Sequence, residues 1–248
     1  MKGEKARLIL LSGGKGTRAQ GSVPKQYAKK DGRMMVTQTF GTFAVNPLID
    51  GAQVVMDPIY KEEFAKELKE VPLGCGEEFP VGYSLPGETR QLSIWNALKD
   101  LEGVLDEDSL IIIHDAARPY VSKDLIERVV TGAFGYGGCI PVLPVTDTVY
   151  GSSDGRKIDS LPDREKIFRG QAPESFRFGD YLRANKALFP ERIYRIQGST
   201  QPAFLHGMDV AMVFGDEENM KVTTGDDLER WLHHTLNRNS MTSPSFTT

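Results

Sequence analysis

Cysteine is nearly missing from this chain: 248 residues hold two, Cys75 and Cys139, far apart and with no Cys-x-x-Cys pair. That excludes a disulfide-stapled scaffold and predicts two free thiols in a reducing compartment, the cytoplasm. Histidine is also scarce. The four residues, at 114, 206, 233 and 234, show no zinc-ligand spacing, and no metal site is expected from protein side chains alone. The apolar run near the N-terminus is only Leu8 to Leu11. It is too short for the core of a signal peptide or a membrane span, so no membrane partner is expected. Excess positive charge is absent as well. A net charge of −4 argues against a general nucleic-acid binder and confines any basic surface to a local patch.

What remains is a globular composition, 40% apolar, in which strand and helix signals alternate. Leu8–Leu11 reads as a buried strand, Met34–Val45 as a helix and Gly51–Met56 as a strand. Pro58 opens a surface helix over Ile59–Glu70. Gly82–Leu85 is a weak strand. Thr89–Leu101 is a helix with Leu92, Trp95, Ala97 and Leu98 facing inward. Ser109–His114 is the strongest strand, ending at Asp115. Ser122 caps the next helix, and Gly138–Val145 is a further strand despite its prolines. Later come a helix over Phe176–Ala187, a core segment over Met208–Phe214, a short strand at Asn219–Thr223 and a last helix from Gly225. The alternation predicts an α/β fold: a Rossmann-like, mostly parallel sheet in a single domain over residues 1–238, with a frayed tail at 239–248.

Residues 146 to 168 interrupt the pattern. Thr146–Tyr150 and Lys157–Leu161 read as two strands around a Gly151–Gly155 turn, an inserted β-hairpin arm. A lone hairpin is marginal in water, so a partner subunit is expected to support it.

The chemistry gathers at Leu8-Ile-Leu-Leu-Ser-Gly-Gly-Lys-Gly-Thr-Arg18 and Val23-Pro-Lys-Gln-Tyr27. Glycines after a first strand let backbone amides approach a phosphate, and Lys15, Arg18 and Lys25 can neutralise one. The stretch matches neither a P-loop nor Gly-x-Gly-x-x-Gly. In a parallel sheet, ligands sit outside the carboxyl ends of strands. Ser12–Gly14 and Asp115 both lie just past such ends and can line one crevice.

These stretches, together with Gly87-Glu-Thr-Arg90 and Ser93, His114-Asp-Ala-Ala-Arg-Pro119, Pro144-Val-Thr-Asp-Thr148, Asp163-Arg164, Gln171-Ala-Pro173 and Asn219-Met-Lys-Val-Thr223, resemble the cytidylyltransferases of sugar-alcohol phosphates. The resemblance runs from about residue 7 to 236. It implies transfer of CMP from CTP to a polyol phosphate, with Mg²⁺ and without a covalent intermediate. Arg18, Lys25 and Lys221 would be the catalytic cations. Ser12, Gly13, Gly14, Lys15, Gly16, Gly87, Ser93, Asp115 and Ala116 would hold the nucleotide, with Ser93 reading cytosine. Asp115, Arg118, Thr148 and Arg164 would hold the acceptor, the last two from an arm that crosses to the second subunit of a homodimer. Lys25, Asp115 and Lys221 together favour an enzyme over a nucleotide-binding module that has lost turnover.

Three departures from the family pattern stand out. Pro86 replaces a usual glycine, Thr89 a common acidic residue, and Ser199-Thr200-Gln201-Pro202 a segment that usually carries Thr-Asp. The cues to the acceptor conflict. Asp115-Ala-Ala-Arg-Pro119 looks like the methylerythritol 4-phosphate enzymes, whereas Phe168-Arg-Gly-Gln-Ala-Pro173 looks like the ribitol 5-phosphate enzymes. The cue nearest the chemistry points to methylerythritol 4-phosphate.

Overall fold

Strand β1 (Ala6–Leu11) lies in the middle of the sheet, and its alternating side chains separate two cores. The structure is a computed structural model describing residues 4–14, 23–73 and 79–233. Lys15, Gly16, Arg18, Cys75, His234 and the expected tail lie outside the described residues.

In chain order, β1 is followed by a small antiparallel ribbon, β2 (Lys29–Lys30) and β3 (Arg33–Met34). Then come α1 (Met35–Ala44), β4 (Ile49–Val55), α2 (Lys61–Leu68), β5 (Val81–Ser84), α3 (Arg90–Leu101), β6 (Leu110–Asp115), α4 (Lys123–Gly132) and β7 (Gly138–Pro144). The second half carries β8 (Phe168–Gly170), β9 (Glu174–Arg177), α5 (Phe178–Lys186), α6 (Thr200–Leu205), β10 (Val210–Phe214) and α7 (Gly225–His233). The main sheet has eight strands in the order β10-β7-β9-β6-β1-β4-β5, with β8 paired to β7. Pairings of β1 with β4 and β6, of β4 with β5 and of β7 with β10 are parallel. Strand β9 runs antiparallel between β6 and β7.

Period-two alternation sends Leu8 and Leu10 to one face and Ile9 to the other. The first face is covered by Phe40 and Phe43 of α1, Phe64 of α2 and Leu125 and Val129 of α4. The second is covered by Ile94 and Leu98 of α3 and Tyr181 of α5, joined by Phe176 of β9. Helix starts follow their caps: Thr89 accepts from Leu92 N–H at 3.1 Å and Ser122 from Leu125 N–H at 3.1 Å. No described helix is long and apolar enough to cross a membrane. Cys139 is a free cysteine, and burial pushes its thiol pKa up to about 12.

Several expectations need correction. The start of the expected Phe176–Ala187 helix is strand: β9 ends at Arg177, where Phe176 fills the sheet core. Asn219–Thr223 is not a strand. Its backbone is used in single anchors, such as Val222 N–H to Ala117 O at 2.8 Å, rather than in a ladder. Trp95 is only half-buried, while Gln91, Ser93 and Ile94 are buried. The arm is present, but its two strands are not. Pairing at its base is made by β7 and β8, and the outer part closes through one isolated bridge, Gly151 to Ser160. Thr146–Thr148 and Ser152–Leu161 are exposed, so this stretch buries little against its own chain.

Phe176 stacks on Tyr181 at a centroid distance of 4.3 Å and is fully buried. Phe176→Ala is expected to destabilise the chain by about 3–5 kcal/mol. Breaking the exposed Lys66–Glu62 pair (3.1 Å) should change stability by less than about 1 kcal/mol. Urea unfolding monitored by circular dichroism compares the two.

Candidate active site at the carboxyl edge of the sheet

The register of β1 and β6 sets the site. Leu11 pairs with Asp115, so the glycine loop and Asp115 leave the sheet side by side. The Ser12 N–H and Oγ both donate to Val55 O, at 2.8 and 2.7 Å. Its carbonyl accepts from the amide of Gln26 at 2.7 Å, and the same amide reaches Gly14 O. Ser12 is therefore a structural anchor, and Gln26 pins the loop from below. Gly13 is required: a Cβ there would meet the Pro86 Cβ at 2.4 Å, whereas Gly14 has nothing within 4 Å. Pro86 thus packs directly on the glycine backbone, so this departure from the family pattern is absorbed as a contact. Lys25 follows, half-buried, on the 3₁₀ turn Lys25–Tyr27.

The Gly87–Ser93 segment is held by its own bonds. Gly87 N–H donates to Ser93 Oγ at 3.0 Å, and Ser93 Oγ donates to Thr89 O at 3.1 Å. A Cβ on Gly87 would meet Leu92 Cβ at 2.4 Å. The single hydroxyl hydrogen of Ser93 is thus committed to shaping the segment, and only a lone pair remains for a base. Ala116 is similarly occupied: its N–H donates to Leu11 O at 2.9 Å, and its carbonyl accepts from Thr39 Oγ1 at 2.9 Å.

Asp115 is buried and clamped. Arg90 Nε donates to its Oδ1 at 2.9 Å, and Lys221 Nζ to its Oδ2 at 2.7 Å. Burial alone would raise its pKa, but Arg90 and Lys221 outweigh burial and hold the carboxyl well below the usual carboxylate range. Lys221, with a side chain 38% exposed, keeps two further N–H donors for an incoming anion. Arg118 comes to the same wall. Its Nη1 donates to Asn219 O at 2.7 Å, while its buried Nε has no partner. Burial pushes its pKa down, although Asp115 opposes this. His114 lies beneath, its Nε2 3.1 Å from Arg118 O, and burial pushes its pKa down to about 4, so it is neutral at pH 7.

Behind Asp115 stands a network that the motifs did not reveal. Arg90 Nη1 donates to Ser199 Oγ at 2.8 Å. Ser199 Oγ and Thr200 Oγ1 both donate to Glu174 Oε2, the latter at 3.1 Å. Tyr181 OH holds the Ser199 carbonyl at 2.7 Å. Burial pushes the Glu174 carboxyl above its ordinary pKa, against the pull of Arg90. The segment that lacks its usual aspartate is therefore served by a carboxylate from β9. Gln201 points elsewhere, accepting from Gln197 N–H at 3.0 Å in an exposed turn. Residues 172–176 read Ala-Pro-Glu-Ser-Phe, and no local pattern marks Glu174 as buried.

Thr148 and Arg164 are not brought to this cluster within one chain. Both are exposed on the arm, where Arg164 Nη1 donates to Thr146 O at 3.0 Å. Among the described residues no group of three or more His, Cys, Asp or Glu side chains could hold a metal ion.

This arrangement offers cations around an ionised carboxylate beside a glycine loop, at the mouth of a parallel sheet. Comparison with known proteins accords with it. The family described as IspD, 2-C-methyl-D-erythritol 4-phosphate cytidylyltransferase, matches residues 6–232. The 2-C-methyl-D-erythritol 4-phosphate cytidylyltransferase of Thermosipho melanesiensis is 30% identical over 220 residues, 89% of this chain and 93% of that protein. The bifunctional enzyme IspD/IspF of Paramagnetospirillum magneticum is 34% identical over 226 residues, 91% of this chain. This chain spans 56% of that bifunctional relative's length. The crystal structure of 4-diphosphocytidyl-2C-methyl-D-erythritol synthase from Anaerococcus prevotii shares the fold. Its TM-score is 0.76 at 23% identity, covering 92% of this chain and 95% of that one. The chain belongs to the 2-C-methyl-D-erythritol 4-phosphate cytidylyltransferase family.

Proposed function

We propose that this protein transfers CMP from CTP to 2-C-methyl-D-erythritol 4-phosphate, releasing pyrophosphate. The observation that carries the reading is Asp115 clamped by Arg90 and Lys221 next to the glycine loop. A phosphate oxygen of the acceptor attacks the α-phosphorus of CTP, the new O–P bond forms, and the bond to the pyrophosphate oxygen breaks. No protein nucleophile is needed. The chain's part is to position two anions and to stabilise charge as it builds on the α-phosphate and leaving group. The Gly13–Gly14 backbone, with Lys15, Gly16 and Arg18 from the sequence motif, cradles the triphosphate. Lys25 and Lys221 approach the α-phosphate, and Arg118 receives the acceptor.

Magnesium fits as a companion of the nucleotide. It binds through one or two carboxylates plus substrate phosphates and keeps several waters. Asp115 is the carboxylate beside the loop, and because Arg90 and Lys221 each already take one of its oxygens, the nucleotide's phosphates and waters would supply most of the ion's ligands. Bound there, the ion would neutralise phosphate charge.

One cue to ribitol 5-phosphate loses its force. Gln171 spans the Asp216 backbone, donating to its carbonyl and accepting from its N–H, both at 2.9 Å. Its amide is spent on scaffolding rather than on an acceptor. Pyrophosphate release should therefore be fastest with methylerythritol 4-phosphate when it is assayed beside ribitol 5-phosphate and glycerol 3-phosphate. A clear preference for ribitol 5-phosphate would overturn the acceptor, and activity only with a hexose 1-phosphate would overturn the class.

The protein works in the cytoplasm as a homodimer in which each arm completes the partner's acceptor pocket through Thr148 and Arg164. Supporting this, Tyr150, Ile158 and Leu161 on the arm are 56, 62 and 69% exposed, apolar surface that a second copy would cover.

Two mutational outcomes follow. Lys25→Ala and Lys221→Ala should each lower kcat by about 10²–10³, while calorimetric CTP affinity changes much less. Mixing inactive Arg164→Ala with inactive Lys25→Ala subunits, after verified exchange, should restore part of the activity. No recovery would exclude the shared pocket.

A further inference from the structure

We infer that Glu174, acting through Ser199, is a positioning residue that sets the guanidinium of Arg90 and thereby the Asp115–Lys221 pair; for catalysis this rests on the transferase reading above. The hydrogen bonds have a forced direction. Arginine only donates, so the Ser199 hydroxyl must accept from Arg90 Nη1 (2.8 Å). Its one hydrogen then goes to Glu174 Oε2, which also accepts from Thr200 (3.1 Å). When ionised, Glu174 is an acceptor only and cannot reverse the chain. Tyr181 fixes the Ser199 backbone from the other side at 2.7 Å. The guanidinium is thus drawn two ways, by Nη1 toward Ser199 and Glu174 and by Nε toward Asp115 at 2.9 Å. Asp115 passes this placement to Lys221 through its second oxygen at 2.7 Å.

Glu174 itself is buried in β9, paired in register with Ile113, two residues before Asp115. It acts on the reacting groups only through others. The groups facing it are Arg90 from α3, Asp115 from β6 and Arg118 just beyond it, Tyr181 from α5, and Ser199 and Thr200 at the start of α6. Burial, the largest influence, raises the Glu174 pKa, and the bond from Ser199 lowers it. The ionised acceptor is therefore lost at a higher pH than an ordinary glutamate would allow. Removing the Ser199 hydroxyl moves that loss to still higher pH.

The test uses the whole protein and reads both structure and rate. The ¹⁵N–¹H resonance of Arg90 Nε, assigned by its disappearance in Arg90→Lys, should exchange slowly with water in the unaltered protein. In Glu174→Gln and Ser199→Ala it should exchange at least about tenfold faster. Turnover with CTP and methylerythritol 4-phosphate should fall by roughly 10- to 100-fold in both, the scale expected of a displaced catalytic group, with KM for CTP little changed. The acid limb of kcat should move to higher pH in Ser199→Ala and lose this group's contribution in Glu174→Gln. An unchanged Arg90 resonance with unchanged kcat in either folded variant overturns the inference. If the unaltered protein releases no pyrophosphate while the resonance responds as described, the transferase reading fails and the placement of Arg90 by Glu174 stands.

Discussion

A carboxylate taken out of water has to be compensated, and this site buries two in one wall. Asp115 and Glu174 both lie at the inner side of the crevice, with Arg90 bonded to one directly and to the other through Ser199. Removing the arginine would leave two buried charges without their common partner. The polar wall is therefore one unit, and its members cannot be exchanged singly without cost. The opposite pKa directions of the two acids follow from the same geometry: Asp115 receives two cations directly, while Glu174 receives the arginine only through a hydroxyl.

The fold delivers this unit through one topological exception. A purely parallel sheet would bring strand ends, loops and helix starts to the crevice. Antiparallel β9, between β6 and β7, instead brings a buried strand residue beside the end of β6. The Ile113–Glu174 pairing fixes Glu174 relative to Asp115. Helix α3 contributes Arg90 as its first residue, immediately after the Thr89 cap. The cap, the strand register and the arginine are thus set by backbone geometry before any ligand arrives.

Much of the parallel framework was legible in the sequence because its signals are local. Branched apolar runs such as Leu110–Ile113 mark buried strands, and Ser122 and Thr89 mark helix starts. The glycine loop and Asp115 could be placed together from the rule that ligands gather at strand ends. What escaped was nonlocal. Strand β9 is four residues long, and its start carries a glutamate, so no periodicity distinguishes it from the helix that follows. Glu174 gains meaning only from Arg90 and Ser199, 84 positions before it and 25 after it in the numbering. The backbone at Asn219–Thr223 resembles a strand in composition, but its Asn219 side chain donates to Ala172 O at 2.6 Å and fixes the chain as an anchored turn.

That anchored turn holds Lys221, the residue proposed to meet a phosphate, in place although its neighbours look like surface. Asn219 ties one end to Ala172, just before β9, and to Arg118 through its carbonyl. Val222 ties the other end to Ala117. The lysine between them projects from a segment fixed on both sides, so the entropy of ordering its backbone is met by folding rather than by any later binding event. The same logic holds across the crevice, where Gln26 grips the carbonyls of Ser12 and Gly14 and Pro86 closes over Gly13. Both walls are therefore preorganised by buried backbone contacts. The group left to respond to a ligand on the Asp115 wall is Lys221, whose partly exposed ammonium keeps donors beyond the one given to Asp115.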